Sequence, residues 1–242
     1  MRKTIKKKVS FNGLGLHSGQ KSKIVLHPSD EEGINFLVNG DKIPALLEYK
    51  INSKRGTILK KNSNRVETVE HLLSALYSSG IDDCLLEFIK GNEVPIYDGS
   101  SYPFFEEIKE AGTVEKNKKR KFLKIEKNIR YNNDGVSILA EPAEGFIVDF
   151  LFDGSKFGVK NQREKCILNE NNYKNIAAAR TFGFWSEIEY LKKNNLAKGA
   201  NLKNVLVIKN GTPYKTSYRM NKELVKHKIV DFIGEFIQLN KV

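Results

Sequence analysis

The sequence predicts an α+β fold, and three observations carry the prediction. Strand-like and helix-like stretches both occur; they come in blocks instead of alternating one for one, which disfavours a doubly wound parallel sheet; and the longest apolar runs, such as "VLVI" at 205–208, fall far short of the ~20 residues that span a bilayer. A chain of 242 residues is long enough for one large domain or two smaller ones. Read in order, it falls into two halves of similar plan, and the repetition is of architecture, since no sequence motif recurs.

The first half opens with the strand-like segments "KKKVSF", "KSKIVLHP", "GINFLVN" and "GTILKK", separated by Gly, Asn and Asp turns. A helix is predicted from about Glu67 to Ser79, with Val69, Leu72, Leu73 and Leu76 at helical spacing and Gly80 as its stop. The strand "CLLEFI" then leads through "GNEVPIYDGSSYPF" into a short helix, "PFFEEIKEAG", with Asp98 expected to form the turn and cap that helix, and secondarily to orient a site. The dense basic run "EKNKKRKF", Glu115 to Phe122, reads as a solvated linker. In the second half, strands are expected at "KFLKIEKNIRY", "VSILAEP" and "FIVDFLF", helices at "NENNYKNIAAA" and "FWSEIEYLKKNN", a strand at "NVLVIKNG", and a terminal helix from about Asn221.

Composition narrows the function classes. The net charge of +12 invites a nucleic-acid reading, but lysine is scattered and no aromatic strand motif, zinc finger or helix-turn-helix surrounds the basic run. A general attraction for anionic small molecules, nucleotide phosphates included, survives. Cys84 and Cys166 are the only cysteines, which gives no disulfide framework and suits a reducing compartment. The basic N-terminus lacks an apolar core, so it does not read as a secretory signal; a cytoplasmic enzyme or binding protein is the default expectation.

The chemistry concentrates in two helices. His227 and Asp231 stand four apart, on one face of the terminal helix. That geometry suits two ligands of one metal, and it equally suits a helix-surface hydrogen bond or ion pair. Glu70 and His71 are adjacent in "TVEHLLSAL", their side chains about 100° apart around the helix. His71 could be a third ligand, with Glu70 left to deprotonate water; alternatively Glu70 is a solvated helix residue and His71 a satisfied, partly buried one. His27, before Pro28, reads as a turn residue. "GLGLHSG", which contains His17, has the glycine content of a phosphate cradle but is followed by a strand, so a tight turn between strands is the better reading.

"FNGLGLHSGQK", "TVEHLLSALYSSGIDD", "EVPIYDGSSYPF", "ARTFGFWSEIEYLKKNNLAKGANLKN" and "NKELVKHKIVDFIGE" follow one another as in the zinc-dependent UDP-3-O-acyl-N-acetylglucosamine deacetylases, which the chain resembles from about Lys7 to Glu235. The resemblance implies two similar domains, residues 1–116 and 121–242, each a sheet layered against helices, with the active site where they meet. It implies a Zn2+ cofactor held by His71, His227 and Asp231. Glu70 would be the general base, Thr181 the hydroxyl that helps hold an oxyanion, and Lys228 a lysine near the substrate's phosphates and carbonyl. Phe182, Ile188, Leu196 and Val205 fall in the segment that forms the family's acyl-chain passage; read without it, they would be core. His17 would lie near the site.

The activity this implies is hydrolysis of the N-acetyl group of an acylated UDP-amino sugar, releasing acetate in lipid A biosynthesis. Its partner is a small molecule, with no nucleic acid and no membrane-spanning segment, and the sequence leaves oligomeric state open. The family continues past this point with a strand, a glycine–histidine motif and a last helix, and that histidine is its usual candidate for general acid. Glu235 stands where the family usually has Asp, and "NNLAKGAN" replaces a more glycine-rich turn. Slow turnover, an unpaired sheet edge and exposed apolar surface in residues 121–242 are therefore expected. The alternative reading is a zinc-containing nucleotide-sugar-binding homologue with little or no turnover.

Overall fold

Period-2 burial builds the first half. The computed structural model describes residues 1–53 and 55–239. Strands β1 (Lys3–Ile5), β2 (Val9–Leu14), β3 (Lys21–His27), β4 (Ile34–Val38), β5 (Asp41–Pro44), β6 (Lys50–Ile51), β7 (Ile58–Lys61) and β8 (Asn64–Glu67) precede helix α1 (Glu70–Ser78). Strand β9 (Cys84–Lys90), helix α2 (Tyr102–Ala111) and strand β10 (Thr113–Glu115) follow. In β3, Ser22, Ile24 and Leu26 turn inward while Lys21 and Lys23 face water, as a strand with one wet face requires. It sits in a five-stranded sheet ordered β2-β3-β9-β4-β5, in which β9 runs parallel to β4 and antiparallel to β3. A parallel pair needs a crossover, and the one from β4 to β9 carries α1. Leu72, Leu73 and Leu76 of α1 share one core with Ile24, Leu26, Phe36 and Leu86. Burying each such side chain stabilises by about 1.5–3 kcal/mol. A smaller sheet, β6-β7-β8, and the β1–β10 pair complete this part.

The second half contains β11 (Ile129–Asn133), β12 (Val136–Ala140), β13 (Ile147–Phe152), β14 (Gln162–Ile167), α3 (Glu170–Ala177), β15 (Phe182–Phe184), α4 (Ile188–Lys193), β16 (Leu206–Lys209), β17 (Thr212–Pro213) and α5 (Glu223–Phe236). The strands pair as β11–β12, β13–β14 and β15-β16-β17, with β15 parallel to β16 and α4 in their crossover. Helix α5 packs on α1 and on β13, and contributes Ile229, Val230 and Ile233 to the main core. The mixture of sheets and helices is the expected α+β class. No helix among the described residues is long and apolar enough to cross a membrane.

Several local expectations are corrected. Helix α1 begins at Glu70 because Glu67 pairs with Ile58 in the small sheet. Residues 121–128 are not strand, since no neighbouring strand pairs with them; the strand starts at Ile129. The segment from Trp185 enters α4 through a 3-10 turn, Trp185–Glu187. Asp98 forms its turn by accepting from the backbone N–H of Ser100 at 3.1 Å, but Ser101 is the N-cap residue of α2, and it is Ser100 Oγ that accepts from Tyr102 N at 3.3 Å. The basic run stays largely exposed, as a solvated linker would, but it is tied down at several points. Lys116 Nζ donates to Asp83 Oδ2 at 2.8 Å, Arg120 Nε lies 2.7 Å from Asp82 Oδ1, and Lys118 pairs with Glu32. In β11–β12, Ile129, Tyr131, Val136 and Ile138 share one face and are all exposed.

Candidate functional site

Helices α1 and α5 meet where one of them has no side chain. A Cβ on Gly234 would lie 2.0 Å from the carbonyl oxygen of Glu70, so only glycine admits this approach. The contact sets the first turn of α1 against the last turn of α5. His71 Nε2 and His227 Nε2 then lie 3.4 and 3.3 Å from the same atom, Asp231 Oδ1. The two rings meet edge-on with centroids 5.0 Å apart, and ligating atoms from all three residues fall within 4.8 Å of one another. Both histidines are buried.

The donor set fits a cation. Asp231 Oδ1 is buried and has no hydrogen-bond partner among the described residues, whereas Oδ2 accepts from Lys228 Nζ at 2.7 Å. A buried carboxylate oxygen left in that state is costly unless a positive charge faces it. His227 Nδ1 lies 3.1 Å from the carbonyl oxygen of Ala179; the tautomer that donates there turns the Nε2 lone pair toward Asp231, the usual outer support of a metal-binding imidazole. Two imidazole nitrogens and one carboxylate oxygen are a zinc-type set that leaves a coordination position open.

The electrostatics are those of a tight, dry cluster. Burial works to raise the Asp231 carboxyl, but His227, Lys228 and His71 hold it well below the usual carboxylate range. Burial lowers both imidazoles. At His71 the carboxylate overcomes it, and the ring rises; His227, with His71 and Lys228 also against it, falls to about 4. Asp231 holds Lys228 above its ordinary value against burial. Burial pushes the Glu70 carboxyl up, although His71 and the N–H of Thr57, which donates to Glu70 Oε2 at 2.9 Å, oppose it.

A cavity of about 600 Å³ opens over this cluster. Glu70, His71, His227, Lys228, Asp231 and His17 all line it, as do Thr181, Phe182, Ile188, Leu196 and Val205. The candidate catalytic, metal-ligating and substrate-binding residues are thus brought to one place; Asp98 is not among them and pairs with Arg219 at 2.7 Å instead. Thr181 is held by its backbone, donating to Gly99 O at 2.7 Å and accepting from Leu206 N at 2.9 Å. The Phe182 ring stands 5.9 Å from that of His227. Phe182, Ile188, Leu196 and Val205 are only partly buried and wall the cavity, Phe182 also packing against the smaller core of Phe184, Leu206 and Ile208. His27 ends β3 and pairs with Glu87 at 2.9 Å, away from the site.

Sequence reasoning missed Lys50, Arg55, Glu187, Leu191 and Leu202, which line the same cavity. Arg55 bridges to Glu187 at 2.7 Å, and Lys50 to Glu235 at 2.7 Å, each across more than a hundred residues of chain. No local pattern announces such pairs. Leu191 and Leu202, flanking the Leu196 segment, could have been found by extending that segment's apolar positions in both directions. A buried Arg180–Glu223 pair, Nε to Oε1 2.8 Å, ties the loop before Thr181 to the first turn of α5, one turn before His227, whose Nδ1 faces Ala179 O in the same loop.

The profile of the UDP-3-O-acyl N-acetylglycosamine deacetylase family matches residues 2–241. A UDP-3-O-acyl-N-acetylglucosamine deacetylase of Aquifex aeolicus is 38% identical over 241 residues, covering 99% of this chain and 84% of the relative. Proteins of the same description from Coxiella burnetii (37% identical; 99% of this chain, 82% of the relative) and Helicobacter hepaticus (37%; 98% and 81%) are similar to it as well.

Proposed function

The chain belongs to the UDP-3-O-acyl N-acetylglycosamine deacetylase family, and from that premise we propose that it hydrolyses the N-acetyl group of an acylated UDP-amino sugar, the acetate-releasing step of lipid A biosynthesis, with zinc as cofactor in the cytoplasm. The observation that carries the proposal is the convergence of His71, His227 and the unpartnered Asp231 Oδ1 at a cavity that is also walled by apolar side chains. A polar cluster suits the amide and phosphates; the apolar wall suits an acyl chain.

His71, His227 and Asp231 would hold the metal, with Lys228 fixing the second oxygen of Asp231 so that Oδ1 stays directed inward. Zinc held by these residues would supply Lewis acidity, acidifying a water toward a pKa of ~7 and polarising the acetamide carbonyl. Glu70, raised by burial, takes the proton from the attacking water at a carboxylate oxygen and can carry it to the departing amine nitrogen. The Thr181 hydroxyl donates to the oxyanion that forms on the carbonyl, where one aimed donor is typically worth about 3 kcal/mol. Lys228, kept charged by Asp231, attracts the substrate's carbonyl and phosphates. The division into residues 1–116 and 121–242 belongs to the same reading, each part supplying some of the ligands.

Acetate release from the acylated UDP-sugar, with added zinc and a chelator control, is the direct test. Purified protein should hold one zinc per chain, and His227→Ala should lose most of it, because two ligands do not close a catalytic site. Equal zinc in wild type and in a His71→Ala, His227→Ala double variant would sink the ligand assignment. Zinc uptake with no acetate release would leave nucleotide-sugar binding as the function.

A further inference from the structure

The glycine-rich turn between β2 and β3 does cradle an anion, and the anion belongs to the chain itself. Glu93 is buried, 2% exposed. Its Oε1 accepts from the backbone N–H of His17 at 2.7 Å and its Oε2 from that of Ser18 at 2.8 Å, two successive amides converging on one carboxylate. Gly15 makes room for it, since a Cβ there would lie 2.1 Å from Glu93 Oε2. The turn closes on itself through Gly15 N to Gln20 O, 3.0 Å, and Gly19 N to Gly15 O, 3.1 Å. It is docked on the opposite wall of the cavity, where Lys198 N and Gly199 N donate to His17 O and Leu16 O.

The same carboxylate reaches the other side of the site. Thr68 Oγ1 donates to Glu93 Oε1 at 3.0 Å. Thr68 is buried and has φ +57°, a left-handed conformation that a β-branched residue adopts only when its surroundings impose it. In that conformation its N–H reaches Thr57 O at 2.9 Å, and Thr57 N in turn donates to Glu70 Oε2. Two residues after Thr68, the chain enters α1 with Glu70 and His71.

We propose that Glu93 is a positioning residue for the deacetylation: it holds His17 through the turn and, by imposing the left-handed backbone at Thr68, sets where Glu70 and His71 project. Glu93 touches neither reacting atoms nor the ligating set; it acts through Thr68 and through the two amides. A glutamine cannot replace it, because three donors face its two oxygens and an amide nitrogen would oppose one of them. The proposal rests on the functional reading above for what Glu70 and His71 do, but not for where they are held.

The test separates those two claims. With four histidines in the chain, imidazole-labelled protein gives one set of NMR signals per histidine. Glu93→Gln should move the His17 and His71 signals and leave His27 in place. Thr68→Val exchanges the hydroxyl for a methyl of similar size and should move His71, weaken zinc binding by about 10-fold or more in a chelator competition, and lower kcat with KM nearly unchanged. Thr68→Ser should return the His71 signal to its wild-type position. Misplacement of catalytic groups on this scale typically lowers turnover by up to about 100-fold. If Glu93→Gln does not fold, Thr68→Val carries the test. Folded variants with wild-type His71 signals and zinc affinity overturn the proposal, as does a loss of melting temperature with kcat and KM unchanged in the folded fraction. Signals that move as expected in a protein that releases no acetate would uphold the positioning role and refute the deacetylase reading instead.

Discussion

Glu70 occupies the first position of α1, almost without exposure, with one oxygen tied to Thr57 N and its carboxyl raised by burial. A group that must accept a proton works only when ionised. Activity should therefore fall as pH drops through the Glu70 pKa, and the acid limb of the kcat/KM profile should lie above the ordinary glutamate value of 4.5. Glu70→Gln keeps shape and one hydrogen bond but cannot take the proton. Zinc content should stay at wild type while turnover falls about 100-fold or more, and the acid limb should disappear. Zinc lost together with turnover would make Glu70 a support for the cluster and not its base. The pair Glu70–His71 was legible in the sequence as two adjacent functional side chains; that the helix carrying them is buried on nearly every side was not, because its leucines mark only one stripe.

At the scale of elements, the α1–α5 contact decides whether a site exists. Replacing Gly234 by alanine should gain about 1 kcal/mol of helix propensity in an ordinary helix. Here the new methyl would sit 2.0 Å from a backbone carbonyl, which cannot swing aside as a side chain can, and such overpacking costs about 1–3 kcal/mol. The second effect should win. Gly234→Ala is expected to lower the urea midpoint and to lose zinc, because moving α5 outward draws His227 and Asp231 away from His71. A variant more stable than wild type that still binds zinc would refute this account of the crossing. The sequence shows the glycine, but a single glycine inside a helical pattern has no reading of its own until the facing element is known.

Across the whole molecule, the positive charge is partly spent on internal structure. Asp83 is fully buried and accepts from Arg2 Nε at 3.1 Å, Lys116 Nζ at 2.8 Å and the backbone N–H of Gly33 at 2.7 Å, which joins the N-terminus, the β4 entry and the basic run. Burial works against its ionised form, but Arg2, Lys116 and Gly33 hold its carboxyl below the ordinary value. A carboxyl lowered in the folded state contributes stability that is present above its unfolded value, 3.8, and is lost as pH falls through the folded one. Asp83→Asn would remove the buried negative charge that Arg2 and Lys116 face while leaving their contacts to Asp82 O, Ser29 O and Asp30 O, so a loss of about 1–3 kcal/mol is expected at neutral pH. Urea unfolding at pH 7 and at successively lower pH should show the variant and wild type converging in acid. Equal stability at pH 7 would show the cluster to be idle.

What the sequence by itself determined is what repeats over a few residues. Alternation in "KSKIVLHP" set β3, helical spacing of Leu72, Leu73 and Leu76 set α1, and the i, i+4 interval put His227 and Asp231 on one face. Five ordered motifs carried the family and, apart from Val205 just past the fourth, the candidates that line the cavity. Tertiary structure alone decided the rest. The choice at His227 and Asp231 between a surface ion pair and half of a ligand set depended on His71 arriving from 156 residues away with Asp231 Oδ1 unpartnered. The basic run became a docked strap only when Asp82 and Asp83 faced it, and the glycine-rich turn gained its anion only when Glu93 was folded beneath it. Periodicity is a property of neighbours along the chain, whereas desolvation and charge pairing depend on which distant atoms the fold brings within a few ångströms.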